Sequence, residues 1–115
     1  MASLLLRAGP LFAALADPMR LAILDRLRPG QRSVNELCAD TGAGQSLMSF
    51  HLKTLRDAGL VFARKDGRTV WYALDPSGLT RLERLVSVLQ GHDDLASEAS
   101  KRVDLEVCLE YINDS

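Results

Sequence analysis

The chain of 115 residues has little cysteine, little histidine and no long apolar run. Its two cysteines are too few for the dense disulfide framework of a small secreted protein, and they cannot form a four-thiolate zinc site within one chain. No apolar run approaches the roughly 20 residues that a membrane-spanning helix needs. The composition therefore argues against a disulfide-stabilised scaffold and against a membrane protein.

The chain also lacks an excess of charge of either sign. It carries 14 basic and 15 acidic residues, for a net charge of −1. The balance conceals an asymmetry, because residues 1–32 hold five basic and two acidic groups whereas residues 75–115 hold four and nine. Bulk charge therefore does not indicate a nucleic-acid-binding protein, but a locally basic face remains compatible with one.

The signals of an enzyme are missing as well. The sequence contains no glycine-rich phosphate loop and no nucleophile–base constellation, and its only histidines are His51 and His92. We therefore expect a protein that is not an enzyme.

The amino-terminal segment faintly resembles a signal peptide, but Arg7 and Gly9-Pro10 interrupt its apolar stretch, and no cluster of positive charge precedes it. Its apolar residues instead recur at helical spacing. These are Leu4, Ala8, Leu11, Phe12 and Leu15. Residues 1–16 are therefore predicted to form an amphipathic helix broken near Gly9-Pro10, and the protein is predicted to be cytoplasmic.

Residues 17–59 carry the start and stop signals of three helices. Asp17-Pro18 begins the first, and its apolar positions are Leu21, Ile23, Leu24 and Leu27. Ser33 and Glu36 form a capping box, and Gly42 supplies a glycine stop. The turn 42–44 leads into a helix from Gln45 to about Ala58. Two helices joined by so short a turn predict a helix-turn-helix.

A hairpin is predicted next, because residues 60–65 and 68–74 are rich in β-branched and aromatic residues and flank Asp66-Gly67. Trp71 and Tyr72 are expected to pack it onto the core. Asp75-Pro76 begins a further helix, and a last helix is predicted over residues 94–112, with Leu105, Cys108, Leu109 and Ile112 along one stripe.

These elements predict a mainly α winged helix-turn-helix with a β-hairpin wing, in a single domain over residues 1–115. The core would occupy residues 17–75. The outer helices, residues 1–16 and 76–115, have more apolar surface than one subunit easily covers, so a twofold dimer that buries them is expected.

The helix that begins at Gln45 has two different faces. Met48, Leu52 and Leu55 fall within a narrow arc and are predicted to face the core. The opposite face carries Ser46, Ser49, Phe50 and Lys53, with Gln45 at the amino end. No acidic residue occurs on this helix before Asp57, which is unusual for a merely solvated face. Such a face fits a DNA major groove, where Gln and Ser reach base edges and Lys reaches phosphate.

The predicted hairpin tip adds positive charge directly after this helix. Arg64, Lys65 and Arg68 surround the turn and are suited to a phosphate backbone or a minor groove. A charged hairpin tip means little alone, but it strengthens the interpretation when it follows a helix-turn-helix.

Four segments now carry a resemblance to a known family, over about residues 11–75. They are Leu15-Ala-Asp-Pro-Met-Arg-Leu-Ala-Ile-Leu24, Val34-Asn-Glu-Leu37, Gln45-Ser-Leu-Met-Ser-Phe-His-Leu-Lys-Thr-Leu-Arg-Asp-Ala-Gly-Leu-Val61 and Arg64-Lys-Asp-Gly-Arg-Thr-Val-Trp-Tyr72. The sequence resembles the ArsR/SmtB family, bacterial winged-helix repressors that bind operator DNA as homodimers and release it when an inducer binds. The resemblance places the polar face starting at Gln45 on the recognition helix and Arg64, Lys65 and Arg68 on the wing.

Three positions need comment against the family pattern. His51 stands where the family usually has the histidine of a His-Leu pair, and we interpret it as a packing or phosphate contact rather than a metal ligand. Gly44 replaces a frequent capping serine, which weakens the cap. Phe50 replaces a frequent His or Arg and is suited to contact a thymine methyl group.

The family's metal-ligand positions are mostly unoccupied by ligands. The Cys-Val-Cys thiolate motif aligns with Ser33-Val34-Asn35, and the zinc-type site keeps only Asp75, with Ser77, Val88 and Gly91 at its other positions. We therefore reject the zinc-type site. The cluster of His92, Asp93, Asp94 and Glu98 is interpreted as a solvated helix start.

Cys38 and Cys108 remain, and three interpretations stay open. Both lie on apolar stripes, where a free cysteine behaves as a small hydrophobic residue. Alternatively, they bind a soft ion such as trivalent arsenic or antimony, or they sense oxidants or persulfide. With two thiolates per chain, a methylated arsenical or a site shared across the dimer fits better than a three-thiolate site.

The sequence therefore predicts a homodimeric repressor whose partners are double-stranded operator DNA and a small inducer. A thiol-based redox or persulfide sensor is the alternative regulator. A winged-helix module that docks a protein on the face carrying Phe50 is the alternative from another class.

Overall fold

The computed structural model describes residues 4–92 of the chain. The described elements are α1 (Leu4–Arg7), α2 (Gly9–Leu15), α3 (Pro18–Arg26), β1 (Arg32–Ser33), α4 (Val34–Thr41), α5 (Gln45–Asp57), β2 (Val61–Asp66), β3 (Thr69–Leu74) and α6 (Pro76–Leu89). The helix predicted over residues 94–112 and Cys108 lie outside the described residues. Within them, the architecture is a winged helix-turn-helix, in agreement with the sequence-based prediction.

The predicted starts of α3 and α4 are present and capped by side-chain hydrogen bonds. Asp17 Oδ1 accepts from the backbone N–H groups of Met19 and Arg20, at 2.8 and 3.1 Å. Ser33 Oγ accepts from Glu36 N–H at 3.1 Å, while Glu36 Oε1 accepts from Ser33 N–H at 3.2 Å, so the capping box is complete. Gly42 ends α4 with a φ of 79°, the left-handed conformation for which glycine is preferred.

The sheet has one strand more than the predicted hairpin. Its antiparallel order is β1-β3-β2, and β1 pairs with β3 through Ser33 opposite Trp71. Two residues are too short a run for the alternating pattern that identifies a strand, so the sequence alone did not indicate β1.

The hairpin turn lies one residue later than predicted. Asp66 is paired with Thr69, so Gly67 and Arg68 form the two-residue turn rather than Asp66-Gly67. Gly67 has a φ of 61°, and a glycine at the first turn position matches a type II′ hairpin turn. Arg68 therefore lies at the tip of the wing.

The hydrophobic core lies where α2 to α5 meet β2 and β3. Its largest fully buried side chains are Leu11, Ile23, Leu27, Leu37, Met48, Leu52, Leu55, Leu60 and Val61. Tyr72 is buried as predicted, and Trp71 is half-buried. The apolar stripe predicted for α3 was wrong at Leu21, because this side chain is half exposed. It lies two residues from the fully buried Ile23, which on a helix is about 200° around the axis.

Helix α6 packs closely against the segment that follows α5. Asp75 N–H donates to Leu60 O at 2.9 Å. A Cβ atom on Gly78 would lie 1.8 Å from Gly59 O, so only glycine permits this approach. The contact fixes the first turn of α6 beside the end of α5. None of the helices in residues 4–92 has the length and apolarity needed to cross a bilayer.

Candidate nucleic-acid interface

Helix α5 is held to the core by one face only. Met48, Leu52 and Leu55 are at most 1% exposed, as the sequence predicted. His51 is also buried, on the same side of the helix. This face orients the helix and leaves its opposite side uncovered within the described part of the chain.

The uncovered side carries all five residues predicted from the sequence. Exposed side chains are found at Gln45, Ser46, Ser49, Phe50 and Lys53. Phe50 is 58% exposed, a large value for an aromatic side chain. Lys53 Nζ lies 2.7 Å from Asp57 Oδ2, and this hydrogen bond lowers the pKa of Asp57. Because this ion pair is exposed, it contributes little to stability. Lys53 can therefore leave Asp57 and contact a phosphate instead.

His51 joins α5 to the amino-terminal helices through Arg20. Arg20 Nη1 lies 3.2 Å from His51 Nδ1. The guanidinium has only donors, so Nδ1 accepts and the imidazole carries its proton on Nε2. Arg20 also donates to Ala14 O from Nε at 2.7 Å and to Ala13 O from Nη2 at 3.2 Å. This arrangement supports the packing interpretation of His51, because the side chain is buried and already bonded.

The three cations predicted on the wing are exposed in the structure. Arg64 and Lys65 are consecutive on β2 and therefore point to opposite faces of the hairpin. Arg64 Nη2 donates to Gln31 Oε1 at 3.0 Å, which ties the middle of β2 to the loop before β1. Arg68 occupies the turn itself.

A cleft of about 250 Å³ joins the wing to the helix-turn-helix. It is lined by Ser33, Val34, Asn35, Gln45, Ser49, Arg68, Thr69 and Val70. Gln45 and Ser49 of α5 therefore share one concave surface with Arg68 from the wing tip. The cleft therefore brings two residues of the predicted α5 group together with one residue of the predicted wing group.

Asn35 is a member of this cleft that the sequence did not single out. Its Oδ1 accepts from Gln45 Nε2 at 3.0 Å, across the ten residues that separate them. No local sequence signal identified this pair, because a helix-turn-helix joins the end of its first helix, not the start, to the beginning of the second.

The start of α5 is open. Gly44 is the N-cap residue and provides no side-chain hydrogen bond to the first turn. Backbone N–H groups at a helix start attract anions when no side chain satisfies them. An incoming phosphate is therefore compatible with this end of α5.

The candidate thiol and metal-ligand residues are only partly described. Cys38 is a free, half-buried cysteine on α4 that packs against the core, whereas Cys108 lies outside the described range. Among residues 4–92, no group of three or more His, Cys, Asp and Glu side chains is arranged to hold a metal ion. Asp75 instead caps α6, accepting from the backbone N–H and the hydroxyl of Ser77. His92 is exposed, and the other members of its predicted cluster lie beyond the described residues.

Comparisons with known proteins agree with this geometry. The family of bacterial regulatory proteins designated arsR matches residues 17–62. The transcriptional repressor SmtB of Mycobacterium tuberculosis is 48% identical over 67 residues, which cover 58% of this chain and half of that repressor. A probable mercury resistance operon repressor of Streptomyces lividans is 34% identical over 92 residues, covering 80% of this chain and 74% of the relative.

A solved structure extends the likeness to three dimensions. The homodimeric winged helix-turn-helix DNA-binding domain of a possible ArsR-family regulator from Mycobacterium bovis superimposes with a TM-score of 0.63. It is 35% identical, and the alignment covers 77% of this chain and 82% of that domain. The family match over residues 17–62 contains the helix-turn-helix described above.

Proposed function

Because this chain belongs to the ArsR family of bacterial transcriptional regulators, we propose that it is a repressor that binds double-stranded operator DNA as a homodimer. It acts in the bacterial cytoplasm and releases its operator when a small inducer binds. The observation that carries the proposal is the joining of the exposed face of α5 and the wing tip into one cleft.

The chemistry of the exposed face suits a major groove. Gln45 and the serines Ser46 and Ser49 offer hydrogen-bond donors and acceptors for base edges, and Phe50 offers apolar surface for a thymine methyl group. We assign Lys53 and the wing cations Arg64, Lys65 and Arg68 to phosphate contacts, which supply most of the affinity without reading sequence.

Dimerisation is assigned to residues 1–16 and 76–115, outside the helix-turn-helix core at 17–75. In the described part of these segments, Leu6 of α1 is 78% exposed, and Val86 and Leu89 of α6 are also exposed. Apolar side chains left uncovered at both ends of the fold support burial against a second copy. The dimer would hold two recognition helices one helical turn of DNA apart.

DNA binding is tested by measuring the affinity for the DNA upstream of the protein's own gene at several salt concentrations. Arg68→Ala is expected to weaken binding to all sequences and to lower the salt slope by about one unit, because one phosphate contact is lost. Arg28→Ala removes one exposed positive charge that does not line the cleft and lies outside the predicted dimerisation segments, so it is the matched control and should leave the salt slope unchanged. If Arg68→Ala leaves the affinity and salt slope unchanged, the wing assignment is wrong.

The same assay separates the repressor from a protein-docking module. Exposed Phe50 and Leu47 are also compatible with a protein partner, and that alternative predicts no shift of any duplex at physiological salt. Specific retardation of the upstream DNA by the unmodified protein supports the repressor.

For the inducer, we propose a thiol-binding agent such as a trivalent arsenical or antimonial at Cys38 and Cys108, with oxidant or persulfide sensing as the alternative thiol chemistry. Cys38 lies on α4, which packs against α5, so a ligand there would disturb the recognition helix. Thiolates are the preferred ligands of soft ions. Inert packing of both cysteines is the competing interpretation.

The inducer is tested by titrating the protein–DNA complex with arsenite, methylarsenite, zinc and a persulfide donor. Release by an arsenical or the persulfide donor that is lost in Cys38→Ser and Cys108→Ser supports a thiol-based inducer. Release that survives both substitutions eliminates the thiol-based proposals.

A further inference from the structure

From the contact between Asn35 and Gln45, we infer that Asn35 is a positioning residue for base recognition: it holds the Gln45 amide so that its free edge selects adenine. The inference rests on the proposed DNA-binding function and names a determinant of its sequence preference. Asn35 lies on α4, outside the recognition helix, and it reaches Gln45 through the cleft at a distance of 3.0 Å.

Asn35 is well placed to hold another side chain because its own backbone is restrained. It is the second residue of α4 and lies within the complete capping box, between Ser33 and Glu36. Ser33 is buried and also pairs with Trp71 in the sheet. The first turn of α4 is therefore held by helix and sheet contacts together, which restrains the backbone from which the Asn35 side chain extends towards Gln45.

Gln45 needs such support. Its side chain is long and exposed, and it stands at the first position of a helix whose N-cap residue makes no side-chain bond. An unsupported glutamine would lose rotamer freedom on binding DNA. Restraining it beforehand reduces that loss and favours one orientation of the amide over the other.

The direction of this hydrogen bond, in which Gln45 is the donor, determines which base is favoured. One of the two Nε2 hydrogens is donated to Asn35 Oδ1. We infer that Asn35 accepts the hydrogen that points away from Oε1, so that the other hydrogen and Oε1 form a neighbouring donor and acceptor. Adenine presents the complementary pair in the major groove, an N7 acceptor and an N6 donor, whereas guanine presents two acceptors.

The experiment selects preferred sites from a pool of randomised duplexes with the full chain. The proteins compared are the unmodified chain, Gln45→Ala, Asn35→Ala and Asn35→Asp. Affinities are then measured for the selected site and for versions changed at single base pairs. Thermal unfolding of each variant confirms that it is folded, which is expected because both side chains are exposed.

We expect the unmodified chain to select adenine at one position of each half-site. Gln45→Ala should remove that preference, which corresponds to roughly 5- to 150-fold in affinity for a bidentate pair. Asn35→Ala should lower the preference at the same position by roughly 2- to 13-fold, the range for one hydrogen bond. Asn35→Asp keeps the acceptor oxygen, so it should keep the preference while its negative charge weakens binding to every sequence.

Three results would overturn the inference while leaving DNA binding intact. The first is an Asn35→Ala variant with the unmodified preference at the position that Gln45→Ala relaxes. The second is a base other than adenine at that position, and the third is loss of the preference in Asn35→Asp. Failure of the unmodified chain to select any duplex would instead reject the proposed function itself.

Discussion

The two helices of the helix-turn-helix begin in opposite ways. Helix α4 starts with a capping box in which Ser33 and Glu36 satisfy each other's backbone groups, next to the β1–β3 pairing. Helix α5 starts at Gly44, without a side-chain cap, and its outer side is exposed along its length. The first turn of α4 is thus completed by the chain itself, whereas the start and outer face of α5 leave hydrogen-bonding groups available to a partner.

The largest expected change in stability concerns the buried face of α5. Leu52→Ala should lower the free energy of unfolding by about 2 to 5 kcal/mol, because the side chain is 1% exposed and its removal leaves a cavity. Leu47→Ala, at a 49% exposed position of the same helix, should change stability by less than about 0.5 kcal/mol. Chemical denaturation measures both. Equal costs would contradict the one-sided attachment of α5.

The next effect tests the cap of α4. Ser33→Ala removes the oxygen that accepts from Glu36 N–H and should cost about 1 kcal/mol of unfolding free energy. Ser46→Ala, in the first turn of α5, is the matched control and should stay within about 0.5 kcal/mol. If both variants lose the same stability, the two helix starts do not differ as described.

A smaller effect comes from supplying the cap that α5 lacks. Gly44 has φ −73° and ψ 165°, which serine adopts freely, and a Cβ there meets no atom within 4 Å. Gly44→Ser should therefore raise the unfolding free energy by a few tenths of a kcal/mol, roughly the difference between the two residues as caps. Gly42→Ser is the contrasting control. It should destabilise the protein, since Gly42 has a φ of 79°.

The smallest effect is a pH dependence at the start of α4. The hydrogen bond from Ser33 N–H is the main cause that lowers the pKa of Glu36 below its ordinary value of 4.5. Because the pKa is lower in the folded state, this stabilisation is present above pH 4.5 and is lost as the pH falls through the folded-state pKa.

The measurement is the denaturation midpoint from about pH 6 to about pH 3. Glu36→Gln should weaken the loss of stability in acid without abolishing it, because the pKa values of Asp17 and Asp57 are lowered too. Identical acid profiles for the variant and the unmodified chain would argue against a role of the Glu36 carboxylate.

Much of this fold was predictable because its signals are local. Asp17-Pro18, the Ser33–Glu36 box and Gly42 act within three or four residues, and the structure shows each in its predicted role. The apolar face of α5 was equally predictable, since Met48, Leu52 and Leu55 recur at helical spacing. The hairpin was correctly predicted, but its turn was placed one residue too early because both Asp66-Gly67 and Gly67-Arg68 satisfy the need for glycine in a tight turn.

The contacts that were missed join residues that are distant in sequence. Arg20 reaches His51 over 31 residues, and Arg64 reaches Gln31 over 33. No periodicity reports such pairs, because each depends on how two elements pack. The contact of Asn35 with Gln45 was missed for the same reason, since the sequence position of Asn35 marks only the first turn of a helix.

The sequence by itself determined where the helices of the core begin and end, which side of α5 is apolar, and which cations stand near the wing turn. These properties follow from short-range hydrogen bonds and from the helical repeat, which act along the chain. Tertiary structure alone decided that α4, α5 and the wing tip enclose one cleft and that Asn35 meets Gln45 inside it. The reason is physical: packing of the buried faces sets the distances between elements, and those distances determine which exposed polar groups come within hydrogen-bonding range.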